Sequence, residues 1–201
     1  PPNPWDTERI PGGSSSGSAV SVATGMAPAA IGSDTGGSIR LPASHCGITG
    51  LKPTFGRVSR RGVFPLSMTL DNVGPMTRSA LDCALVLEAI AGYDPGDPYS
   101  VDRQVEKFSA GIDIGIRGRR IGVPSNFFFE ELEVGVEESV KQALDVLRDL
   151  GAVLIDVEIP WALDAFQNNI VGIEAAWVHR ERLADSEVSA RIGKDTVSRL
   201  R

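Results

Sequence analysis

The stretch from residue 12 to residue 42, GGSSSGSAVSVATGMAPAAIGSDTGGSIRLP, constrains the chain more than any other. Two glycine pairs, Gly12-Gly13 and Gly36-Gly37, each run directly into a serine, Ser14 and Ser38. Glycine permits positive φ and close backbone approach, so a Gly-Gly-Ser step can aim N–H groups and a hydroxyl at one point. Between the pairs lie Val20, Val22, Met26 and Ile31 among small residues, an apolar content that flexible Gly/Ser linkers lack. The stretch therefore reads as packed structure around an active site.

Other chemistries fit the same residues less well. Gly13, Ser15 and Gly17 satisfy the G-x-S-x-G pattern of a nucleophile elbow, but Pro11 leaves no strand ahead of it. A phosphate loop needs a lysine after its last glycine, and none follows Gly17. His45 and His179, the only histidines, read as structural or surface groups rather than triad bases. Cys46 and Cys83 lack zinc-site spacing and read as small buried residues. Asp34 and Arg40 flank Ser38 and are expected to brace the glycine turn by an ion pair and hydrogen bonds, with Ser15 supporting the first turn.

The rest of the composition narrows the class. A net charge of −6, with no basic run longer than Arg60-Arg61 or Arg119-Arg120, argues against a nucleic-acid footprint or an anionic membrane surface. No run approaches 18 apolar residues, and no charged-then-apolar leader opens the chain. Two cysteines are too few for a disulfide framework and fit a reducing, cytoplasmic setting. The 201 residues suffice for one domain, 1–201. Because the chain opens without Met and both ends fall inside apparent structure, it is expected to be incomplete at both ends.

Periodicity places the elements. Residues 1–11 read as an extended loop held by Trp5, 18–24 as a short small-residue helix closed by Gly25, and 29–33 as a short strand. A helix is expected to begin at Ser38, and 50–77 reads as loop with a short strand. Ser79 and Asp82 form a capping signature for a helix over 79–91, with Leu81, Leu85, Leu87 and Ile90 as its apolar face. A β-α-β unit is predicted over about 120–159: strand 120–123, helix 136–150, strand 152–159. A crossover of that length implies parallel strands and an α/β class. Residues 161–184 read as one further helix.

The central stretch, with Asp34-Thr35-Gly36-Gly37-Ser38-Ile39-Arg40-Leu41-Pro42-Ala43 as its second half, closely resembles the amidase signature family. The flanks agree, with NPW at 3–5 and CGITGLKPTFGRVSRRG at 46–62, and the resemblance spans residues 1 to about 160. It implies a mixed β-sheet core covered by α-helices, of which this chain is a fragment with its catalytic motif at 12–43. It also implies Ser38 as nucleophile and Ser14, 24 residues earlier, as the serine relaying its proton to a lysine base. The N–H groups of Thr35, Gly36, Gly37 and Ser38 would form the oxyanion hole, and the Gly13–Ser14 peptide bond would be cis. The family's lysine lies well upstream of the first turn, and Lys52, Lys107, Lys141 and Lys194 do not occupy its position. The isolated chain is accordingly expected to be inactive.

The implied activity is hydrolysis of a carboxamide C–N bond through an acyl-serine, with no metal or organic cofactor. The expected partner is a small-molecule amide, with a homodimer as the expected assembly and no nucleic acid or membrane. A rival within the family is the A subunit of a glutamine-dependent tRNA amidotransferase. Those subunits typically carry Ser-Glu-Ala leading to Asn-Leu-Ala-Arg-Tyr-Asp-Gly, whereas residues 172–185 here read GIEAAWVHRERLAD, which favours a stand-alone amidase. A third reading is a non-catalytic fragment.

Overall fold

The computed structural model describes residues 1–167 and 170–200. In chain order the elements are α1 (Ser16–Ala23), β1 (Ala29–Asp34), α2 (Arg40–Cys46), β2 (Thr49–Gly50), β3 (Asn72–Thr77), α3 (Ala80–Ile90) and β4 (Arg120–Pro124). There follow α4 (Val134–Asp149), β5 (Val153–Val157), α5 (Ala162–Gln167), α6 (Val171–Ala184), α7 (Ser186–Ala190) and α8 (Lys194–Leu200). They divide into two compact units, Pro1–Ala110 with Ile170–Arg201, and Gly111–Asn169.

The first unit is built on an antiparallel sheet of order β1-β3-β2, with Ala29 opposite Thr77 and Asp34 opposite Asn72. The small residues of α1 allow close helix-on-sheet packing. A Cβ at Gly32 on β1 would lie 2.8 Å from Ser15 Oγ and 2.9 Å from Ile39 Cγ1, so only glycine fits there. Ala19, Ile39, Ala43, Cys46 and Met76 form the core beneath. Burying Ile39 completely is worth about 2–3 kcal/mol. It fixes the residue that follows Ser38.

α2 starts at Arg40 rather than Ser38. Its exposed N-terminal N–H groups are satisfied from a distance: the Asp34 carboxylate accepts from Ile39 and Arg40 at 3.2 and 3.3 Å. Gly47, at φ +67°, ends the helix in the left-handed conformation. The opening loop is held by Trp5 as expected, its Nε1 donating to Cys46 O, and also by Asn3, whose Nδ2 donates to His45 O. On α3 the Ser79 hydroxyl accepts from Asp82 N–H as the capping signature predicts. The expected face is buried only in part, however: Leu87 points inward as expected, but beside Cys83 and Ala84, while Leu81 and Leu85 are exposed. Both sets have helical spacing, and the smaller side chains take the close contact with β3.

In the second unit β4 and β5 pair in parallel, Arg120 opposite Val153 and Pro124 opposite Val157, around the crossover helix α4. Gly151, at φ +90°, closes α4. The β-α-β expectation is met, with α4 starting two residues early and β5 two residues short at its far end. The single helix expected over 161–184 is instead two, α5 and α6, and residues 168–169 between them lie outside the described residues. The α/β class stands, its described strands forming one antiparallel and one parallel sheet.

Candidate active site

The two Gly-Gly-Ser turns meet in space. The Gly13–Ser14 peptide bond is cis, as the resemblance implies. Ser14 and Ser38 line one open groove of about 550 Å³ together with Pro1, Ile10, Pro11, Gly12, Gly13 and Ser16. Ser14 is exposed and Ser38 half-buried.

Ser15 joins the turns. Its N–H donates to Ser38 O at 3.1 Å, and its hydroxyl donates to Ser33 O and accepts from Ser33 N–H, both at 3.2 Å. The first turn is thereby stitched both to β1 and to the residue that β1 delivers. Gly12, at φ +76°, allows the approach, because a Cβ there would stand 2.9 Å from Pro42 Cα.

Asp34 closes β1 and is wholly buried. Its carboxylate accepts the Gly37 N–H at 2.8 Å, the N–H groups of Ile39 and Arg40, and a two-pronged contact from Arg40, Nε at 3.0 Å and Nη2 at 2.9 Å. Burial alone would raise its pKa. The Arg40 guanidinium and the three backbone donors outweigh burial and hold the carboxyl below the usual range. The brace expected of Asp34 and Arg40 is present.

One expected oxyanion donor is thereby committed elsewhere. The Gly37 N–H is spent on Asp34, whereas the N–H groups of Gly36 and Ser38 have no acceptor among the described residues. Gly37 serves the turn through its φ of +120°, which a side chain would make costly. Thr35 is anchored by its hydroxyl, which donates to the buried carboxylate of Asp71. Asp71 also accepts the N–H groups of Leu66, at 2.8 Å, and Ser67, at 3.1 Å. This second brace is not among the residues singled out from sequence. Asp71 precedes the Asn72-Val73-Gly74-Pro75 run, which reads as loop punctuation, and no local pattern links it to Thr35.

None of the other candidates is among the residues that line the groove. Lys52 Nζ donates to Pro53 O, Lys141 pairs with Glu137, and none of Lys52, Lys107, Lys141 or Lys194 lines the groove. His45 sits at the last turn of α2, and His179 packs on Phe64. Cys46 and Cys83 are buried free thiols whose pKa burial raises, which makes them poor nucleophiles. Among the described residues no cluster of His, Cys, Asp and Glu could hold a metal, and no helix is long and apolar enough to cross a membrane.

A serine beside unpaired backbone N–H groups, with a second serine in the same groove, is equipped to attack a carbonyl and hold the resulting oxyanion. Comparison with known proteins points the same way. The sequence profile of the amidase family matches residues 1–199. The chain is 53% identical over 158 residues to the glutamyl-tRNA(Gln) amidotransferase A subunit of Roseiflexus sp. (strain RS-1), covering 79% of this chain and 32% of that protein. The crystal structure of the corresponding Thermotoga maritima protein superposes with a TM-score of 0.81 at 40% identity, covering 98% of this chain and 42% of that one. Native peptide amidase from Stenotrophomonas maltophilia superposes with a TM-score of 0.83 at 33% identity, covering 99% and 46%. The chain thus spans about a third of the length of the curated relatives it matches.

Proposed function

The chain belongs to the amidase family, and on that premise we propose that it carries the serine machinery of an enzyme hydrolysing a carboxamide C–N bond. The observation that supports this reading best is the convergence of Ser14 and Ser38 on one groove, with the N–H groups of Gly36 and Ser38 unpaired among the described residues.

Ser38 Oγ attacks the amide carbon and passes its proton to Ser14 Oγ, which hands its own to a neutral lysine. The carbonyl oxygen becomes an oxyanion facing the N–H groups of Gly36 and Ser38, with Thr35 N–H as a third donor. Collapse breaks the C–N bond, the protonated lysine supplies the proton that lets ammonia or an amine leave, and an acyl ester remains on Ser38. Water, deprotonated by the same relay, then releases the acid and restores Ser38. The lysine is assigned to the whole protein outside these 201 residues, so the isolated chain does not turn over. Ser38-dependent hydrolysis by the isolated chain would refute that assignment.

The stand-alone amidase is the first reading, because residues 172–185 lack the run typical of amidotransferase A subunits. A second reading is favoured by a specific observation: the curated relatives at 52–53% identity are named as that amidotransferase component. The two separate in one assay, ammonia release by the full-length protein from glutamine and from a panel of peptide, aliphatic and aryl amides. Release from the panel without partner proteins supports the amidase. Release from glutamine that rises on adding the partner proteins supports the amidotransferase. Hydrolysis that survives Ser38→Ala sinks both.

A further inference from the structure

Glu174, on α6, reaches the segment that carries Asp71. Its Oε2 accepts from the Ser67 hydroxyl and, at 3.1 Å, from Thr69 N–H; its Oε1 accepts from Thr69 Oγ1 at 2.7 Å. Ser67 is wholly buried and faces two carboxylates at once, its hydroxyl directed at Glu174 and its N–H at Asp71. Asp71 N–H closes the turn onto Ser67 O at 3.3 Å, and Arg60 Nη1 donates to Met68 O at 3.0 Å from the other side. Beyond Asp71 the chain of contacts ends at the Thr35 hydroxyl, next to Gly36.

We propose that Glu174 is a positioning residue for the oxyanion turn: through Ser67, Thr69 and Asp71 it fixes Thr35 and hence the direction of the Gly36 and Ser38 N–H groups. The physical need is specific. Gly36 is exposed and has no side chain to anchor it, so its N–H direction is set by its neighbours. On one side Asp34 holds Gly37; on the other only Thr35 can do so, and its hydroxyl rests on Asp71. Asp71 in turn sits on a segment without regular structure, which Glu174 pins by three hydrogen bonds. A carboxylate suits the task because it accepts from all three donors, two hydroxyls and one N–H, without offering a competing donor. Its pKa is lowered, first by Ser67 and then by Thr69, as expected of a carboxylate used in its ionised form.

The kinetic arm of the test rests on the amide-hydrolase reading; the exchange arm does not. Backbone hydrogen exchange of the full-length protein should accelerate in Glu174→Ala at 66–71 and at 35–38, with α3 and the β4-α4-β5 unit unchanged. In the full-length protein, Glu174→Ala should lower kcat by about tenfold with KM within about twofold, since small displacements of a preorganised donor act on the transition state. Glu174→Gln keeps one acceptor oxygen for Thr69 and should recover part of the loss. Thr69→Ala removes a single contact and should cost less than Glu174→Ala. Should Glu174→Ala fail to fold, the last two variants decide by the same readouts. Unchanged exchange at 35–38 together with an unchanged kcat overturns the proposal. A wild-type protein that hydrolyses no amide sinks the functional reading alone, and exchange at 35–38 still decides the relay.

Discussion

Two carboxylates brace the Ser38 turn, and they differ in how far along the chain their partners lie. Asp34 is satisfied entirely by residues 37–40, within one turn of itself. Asp71 reaches back 36 positions to Thr35, and Glu174 stands more than 100 positions beyond the Ser67 and Thr69 it holds. A local brace forms with the turn and belongs to its folding. A remote brace exists only once the tertiary structure is in place, so it can be loosened with less damage to the fold. Damage to Asp34 should therefore appear in stability and rate together, and damage to Asp71 mainly in rate.

The largest expected effect is Asp34→Asn. It removes the charge that Arg40 and three N–H groups converge on, and kcat should fall by about 100-fold, the scale of a lost oxyanion donor. Unfolding in urea should show a loss of about 2 kcal/mol, the Arg40 contribution being discounted because its side chain is 54% exposed. The pH dependence has a definite sign. The folded-state pKa of Asp34 is depressed, so its stabilisation is complete above the unfolded value and is lost as pH falls through the folded value. The gap between wild type and Asp34→Asn should be full at pH 7 and narrow below about pH 4. A constant gap down to pH 2 would detach the stability from that charge.

Asp71→Asn comes next. The amide still accepts from Leu66 or Ser67 but loses the charge-assisted bond to Thr35, and a fall in kcat of about tenfold is expected with a stability loss under about 1 kcal/mol. Equal stability losses in Asp34→Asn and Asp71→Asn, measured by urea titration, would erase the distinction between local and remote braces. Arg40→Lys should be milder: lysine cannot reproduce the fork onto Asp34 but keeps the charge, and half the Arg40 side chain already meets solvent, so a change of a few-fold in kcat is expected. Smallest is Glu137→Ala in α4. Its pair with Lys141 is exposed, and loss should cost no more than about 0.5 kcal/mol in thermal or chemical unfolding with unchanged turnover.

What the sequence discloses follows the same division. The Asp34–Arg40 brace is legible because all its parts fall within the motif, and the β-α-β unit is legible because α4 and β5 repeat at 3.6 and 2 residues. The short strand expected within 50–77 has no legible position there: it is β3, the central strand of its sheet, whose Gly74 and Pro75 carry the marks of a loop. The fate of the Gly37 N–H is equally hidden: spacing shows which residues share a turn, not which way each amide points. Asp71 and Glu174 escape notice because their roles are defined only by tertiary contact. The inward face of α3 is legible at Leu87 but not at Cys83 and Ala84, because leucine outranks cysteine and alanine on hydrophobicity, while close contact with β3 selects for size.

The most direct test of the central claim is intact-mass spectrometry of the full-length protein after a fluorophosphonate, which traps an activated serine. The account expects one adduct, mapping to Ser38 by peptide digestion and forming far more slowly in Ser14→Ala. An adduct on another serine, or none in a preparation that hydrolyses amides, would contradict Ser38 as the nucleophile.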